Sequence, residues 1–205
     1  MRQLLYALLL LLHCQLALAE TPASRLAVGD WVFRHGTSIE SRLIANFGRG
    51  DFSHIGIVVT TSPQIQILHA TTNDSADRPN QVILSTWNEF TSSGLAHNFA
   101  VARPLFLDRQ QQEQIRQALL AKLGQPFVLA AREQPHLYCT TLLADAISAV
   151  APDFEPEWSY LQQPLVGGYY LHPDAFASQH LRWIIPLRQT ALVSASHTMP
   201  PPAPE

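Results

Sequence analysis

Gly50-Asp51-Phe52-Ser53-His54-Ile55-Gly56-Ile57-Val58-Val59 is the stretch on which the fold turns. One histidine stands at the mouth of a run rich in β-branched residues, and such a run favours a buried strand. A lone histidine there is poor core material, but a strand holds an imidazole rigidly. The chain continues into Ser62-Pro63, a turn signal. Gln64-Ile-Gln-Ile-Leu-His69 then alternates polar and apolar residues, so it reads as a half-buried strand pairing back as a hairpin. His69 lies fifteen positions beyond His54, and on a hairpin the two rings can lie side by side.

Working outward, Gly29-Asp30 marks a turn before a short strand, Trp31 to Phe33, closed by His35-Gly36. Thr37-Ser-Ile-Glu40 has capping-box spacing, and Ile39, Leu43, Ile44 and Phe47 predict a helix from about Ser38 to Phe47. Downstream, Thr72 to Asn80 reads as a polar loop, Val82 to Leu84 as a third strand and Asn98 to Arg103 as a fourth. Thr86-Trp-Asn-Glu89 again has capping-box spacing. Asp108 to Leu123 predicts a helix with Asp108 as N-cap and Gly124 at its end. A second clear helix starts at Cys139, with Leu142, Leu143, Ala146, Ile147 and Val150 on one face. Asp153 to Asp174, rich in aromatics, Pro and Gly, reads as an ordered covering loop, and Leu181 to Ile185 as a closing strand.

The 205 residues suit one domain with tails, and 47% hydrophobic residues suffice for a substantial core. A formal net charge of −3 gives no support to nucleic-acid binding. Met1-Arg-Gln, the apolar Leu4 to Leu12 and Ala17-Leu-Ala19 form a secretory signal peptide, residues 1–19, cut after Ala19. Its apolar run is too short to favour a membrane span. Cys14 raises the question of lipidation, but His13 is bulky where a lipobox wants a small residue. The domain is expected over residues 20–189, with a disordered Pro-rich tail over 190–205.

Cleavage after Ala19 leaves Cys139 as the single cysteine, so no internal disulfide forms. A lone thiol in an exported chain is either a buried small hydrophobe or a working group. Its place in the first turn of a helix predicts a lowered thiol pKa. A thiolate needs a base and a third group that orients the base; His54 and His69 are the candidates. A zinc site of His54, His69 and Cys139 lacks the close-spaced pairs of structural zinc sites, so neither a metal nor another cofactor is expected. Asp30 reads as a turn residue, and His35, His97, His136, His172 and His180 as surface or loop residues.

Ser53-His54-Ile-Gly-Ile57 on a strand, followed by Tyr138-Cys139-Thr-Thr-Leu142 opening a helix, resembles the permuted papain-like cysteine hydrolases of the YiiX/YebB type. These are relatives of the NlpC-type peptidases and of lecithin–retinol acyltransferase. In unpermuted papain-like enzymes the Cys helix precedes the His strand; here His comes first. The resemblance, from Gly29 to about Pro186, implies an α+β fold: an antiparallel sheet or half-barrel packed against the helix that carries the cysteine. It implies Cys139 as nucleophile, His54 as base and His69 as polar third member, with Tyr138 lining the site or the oxyanion region. The implied function is an exported, periplasmic thiol hydrolase working through a thioester acyl-enzyme. Its substrate would be a cell-envelope amide or ester, either a peptidoglycan stem peptide or a lipid acyl group. Membrane association without a span is compatible with this. The alternative is a non-catalytic peptide- or lipid-binding module on the same fold.

Overall fold

The computed structural model describes residues 22–38, 41, 50–162 and 167–187. The stretch expected to be a signal peptide, most of the helix expected from about Ser38 to Phe47, and the expected Pro-rich tail lie outside the described residues. A 3-10 turn, Pro22–Arg25, leads into β1 (Trp31–Gly36). There follow β2 (His54–Thr60), β3 (Gln66–Thr71), β4 (Gln81–Thr86), the single-turn α1 (Trp87–Phe90) and β5 (Ala96–Pro104). Then come α2 (Arg109–Leu120), α3 (Cys139–Ser148), β6 (Trp158–Leu161), β7 (Gly168–Leu171), α4 (Asp174–Ala177) and β8 (Leu181–Ile185). Among the described residues no helix is long and apolar enough to cross a membrane.

Six strands form one open sheet in the order β4-β3-β2-β1-β5-β8, every pair antiparallel. The fold is therefore α+β, and the sheet does not close into a barrel. Side chains alternate between the two faces of a strand, and here both faces are covered. On one face Trp31, Phe33, Ile55, Ile57, Leu68 and Ala70 pack against Ile115 and Leu119 of α2 and Leu142, Leu143 and Ile147 of α3. On the other, Val32, Val58, Ile67 and Val101 form a smaller core closed by Leu26 and Phe90. Burial on both faces explains why β1 and β2 read as continuous apolar runs rather than alternating ones.

The caps fall where the sequence puts them. Thr86 and Glu89 make a reciprocal capping box on α1, as Asp108 and Gln111 do on α2. α2 itself stops at Leu120 with Ala121 as C-cap, short of the expected Leu123, and Gly124, at φ +77°, closes the turn that follows. Asp30 is a buried turn residue: Arg103 holds its two oxygens at 2.6 and 2.8 Å, and the Ala27 N–H donates to it at 2.8 Å. Two readings change. The aromatic stretch after Asp153 is not a loop throughout, because Trp158–Leu161 and Gly168–Leu171 pair as a separate two-stranded hairpin. The alternation is visible there only over four residues a side, too short to stand out against Pro and Gly. His172, expected at the surface, is buried at the end of β7.

Candidate functional site

The smaller core carries the polar cluster. Arg34 pairs with His54 across β1 and β2, so both project to the Val32–Val58 face. On β3, His69 follows Ile67 on that same face, and on β4 Ser85 stands opposite Ile67. All four are buried. Buried polar groups must find partners, and these find one another. His54 Nε2 and His69 Nδ1 are 2.9 Å apart, and His69 Nε2 lies 2.9 Å from Ser85 Oγ. The ring planes of the two histidines are almost perpendicular, at 86°. Phe90, brought in by α1, lies against both rings, with centroids 5.6 Å from His54 and 5.0 Å from His69. No side chain at position 56 leaves that room: a Cβ on Gly56 would meet Ile67 Cγ2 at 2.6 Å and Phe90 Cε2 at 3.2 Å.

A buried ion pair closes the cluster. Arg34 Nη2 donates to Asp74 Oδ1 at 2.8 Å and lies 2.6 Å from Oδ2, both side chains being 5% exposed. Arg34 also donates through Nη1 to the Phe90 carbonyl at 3.4 Å, and its guanidinium sits 4.7 Å over the Phe90 ring. Asp74 Oδ2 stands 3.8 Å from His69 Nδ1 and has no hydrogen bond of its own. Burial holds both imidazoles neutral. His54 is lowered well below the usual histidine range by desolvation, then by the Arg34 charge. His69 is lowered to about 3 by desolvation, with Asp74 opposing.

Ser53 sets the approach to His54. Its hydroxyl accepts the Gly36 N–H at 2.8 Å, where β1 and β5 shift register, and its own N–H donates to the Arg34 carbonyl at 3.0 Å. At the start of α3, Thr141 Oγ1 accepts the Tyr138 N–H at 2.9 Å, and Thr140 Oγ1 donates to the Leu171 carbonyl at 2.8 Å. Both threonines after the cysteine thus pin the helix start to its cap and to β7. The Tyr138 hydroxyl is turned the same way and accepts the Leu171 N–H at 3.0 Å.

Cys139 is buried and belongs to the helix-covered core, on the face opposite the histidine rings. The two sides meet at the mouth of β2. There Ile55, the residue after His54, belongs to the same helix-covered core as Cys139. No hydrogen bond joins the thiol to His54 among the described residues. The thiol pKa is not lowered, as its helix-start position predicts, but pushed up to about 11. Desolvation is the largest cause and outweighs the N–H groups of Ile55 and Thr140 and the charge of Arg34.

The sequence reading thus named both histidines and the cysteine but not Arg34, Asp74 or Ser85. Arg34 left a trace: it follows Val32 at strand spacing, a charge on an otherwise apolar face. Asp74 in a polar loop and Ser85 at a strand end left none. His54, His69 and Asp74 each offer one ligand atom, all within 4.8 Å of one another, and that donor set could hold a metal ion. This qualifies the expectation of no metal. Neutral imidazoles and a buried carboxylate fit a cation, although the His54–His69 bond would have to open and Arg34, 2.6 Å from Asp74 Oδ2, would have to share that oxygen.

No protein-family model matches the chain, and no curated protein is significantly similar to it. Among solved structures it is similar to YiiX from Escherichia coli O157:H7, described as a metalloprotein of DUF1105, with a TM-score of 0.62. The two share 18% identity over 78% of this chain and 96% of that one, so the likeness is one of fold: this chain has a YiiX-like fold.

Proposed function

We propose that the protein is an exported thiol hydrolase that cuts an amide or ester of the cell envelope through Cys139, His54 and His69. One observation carries the reading: the His54 Nε2···His69 Nδ1 bond leaves His54 Nδ1 as the base nitrogen, on a residue whose chain neighbour Ile55 shares a core with Cys139. For His54 to accept a proton at Nδ1, Nε2 must carry one and donate it to His69 Nδ1. His69 then keeps its proton on Nε2, facing Ser85 Oγ.

The resting pair is a neutral thiol and a neutral imidazole. His54 Nδ1 takes the thiol proton as sulfur attacks the substrate carbonyl, and the Cys139 N–H, at the open start of α3, faces the developing oxyanion. His54 returns the proton to the leaving nitrogen or oxygen, and a thioester remains on Cys139. Water, deprotonated by His54, releases the acid and restores the thiol.

An activated ester such as p-nitrophenyl acetate tests this. Intact mass spectrometry should find an acetyl adduct on Cys139, absent from Cys139→Ala and strongly reduced in His54→Ala. An adduct formed equally well without His54, or none at all, would overturn the hydrolase and favour a non-catalytic binding module.

A second reading rests on the His54, His69 and Asp74 donor set together with the description of YiiX as a metalloprotein. In it the same three residues hold a divalent ion, which would supply Lewis-acid polarisation of a carbonyl. Elemental analysis of protein purified without chelators decides it. Stoichiometric metal that His69→Ala abolishes supports this reading, and metal-free protein rejects it.

A further inference from the structure

Arg34 and Asp74 have no part in the steps above, yet they are the only buried ion pair touching the cluster among the described residues. The pair bridges elements that are not neighbours. Asp74 lies in the loop after β3 and Arg34 on β1, so their contact spans β2, where His54 stands opposite Arg34. The guanidinium is held at three points: Asp74, the Phe90 carbonyl and the Phe90 ring. Phe90 in turn lies on both imidazoles. His69 is therefore fixed by Ser85 at one nitrogen, His54 at the other, Phe90 against its face and Asp74 at its edge.

Stability alone does not explain the arrangement. A buried ion pair carries a desolvation cost that its attraction seldom exceeds, and apolar residues of similar volume often serve as well. Arg34 Nε is also buried without a hydrogen bond, a further cost. What the pair supplies is direction. A two-pronged planar cation and a carboxylate fix the relative place of β1, the loop and Phe90 more tightly than apolar contacts do.

We propose that Arg34 and Asp74 are positioning residues: an ionic strap that holds the His54–His69 pair in the orientation the thiol chemistry requires. The proposal rests on the thiol reading above.

The test measures the second-order rate of Cys139 modification by a small neutral reagent, methyl methanethiosulfonate, beside the thermal midpoint. In the wild type, His54→Ala should slow the reaction; this arm checks the thiol reading by itself. Arg34→Met/Asp74→Leu should keep a cooperative melt near that of the wild type while losing the His54-dependent part of the rate, at least about tenfold. Arg34→Lys, which keeps the charge without the fork, should recover part of that rate.

If the double variant melts normally and keeps its His54-dependent rate, the strap is dispensable and the proposal fails. If instead the rate falls only in step with the melting temperature across the Met/Leu and Lys variants, the pair is structural and the proposal fails too. A wild-type rate indifferent to His54→Ala would bring down the thiol reading and the strap with it, a result told apart from both by its first arm.

Discussion

His69 shows most sharply how burial sets chemistry at a single residue. An unfolded histidine titrates near 6.5, but burial lowers this one to about 3. Between those values the unfolded chain binds a proton that the native one refuses, so stability is complete above about pH 6.5 and falls as pH drops toward 3. His54 is displaced in the same direction and adds to the loss. The melting temperature should therefore decline through that window, and His69→Gln, lacking the titration, should flatten the decline; an unchanged slope would contradict the buried, neutral assignment. Cys139 shows the opposite case. The sequence placed it correctly at a helix start, but the dipole argument weighed only one force. The thiol is 8% exposed, and desolvation of a thiolate there exceeds what the helix start returns. Position along the chain was legible, whereas depth in the core depends on what packs on top.

At the scale of elements, the β2–β3 hairpin was legible because its period is short and local. The fifteen-residue spacing brings His54 and His69 to a 2.9 Å contact across one turn. The partners that came from farther away were not legible. Ser85 and Asp74 meet His69 only because β4 pairs with β3 and because the intervening loop folds back to Arg34. No spacing rule links residues 34 and 74. The single turn α1 was legible as a capping box, but its purpose was not: it delivers Phe90 to the histidine rings. Gly56 makes the room for that delivery. Gly56→Ala should push against Ile67 and Phe90, lower stability by about 1–3 kcal/mol and open the histidines to solvent. Thermal melting reads the first effect and imidazole NMR the second; sharp, unshifted histidine signals in a destabilised variant would detach Phe90 from the site.

For the whole molecule, the resemblance carried by Ser53-His54 and Tyr138-Cys139 implied the fold class, and the YiiX-like likeness agrees with it at fold level. Two buried faces were harder to foresee. A sheet covered on one side only would have put the even-numbered residues of β2 in water, and His54 would then be an ordinary exposed ring. The second, smaller core is what makes the cluster of Arg34, His54, His69, Asp74 and Ser85 dry. It is assembled from single residues of several strands and a helical turn, each unremarkable in its own segment.

The sheet order has one more consequence. The β4 margin is already closed: Val82 donates to the Gln125 carbonyl and accepts from the Gly124 N–H, each at 2.9 Å. Among the described residues β8 has a strand only on its β5 side, which leaves that margin open to another polypeptide. Three strand spacings, about 14 Å, separate β8 from β2. A second chain annealed there would extend the sheet without crossing the ground where His54 stands.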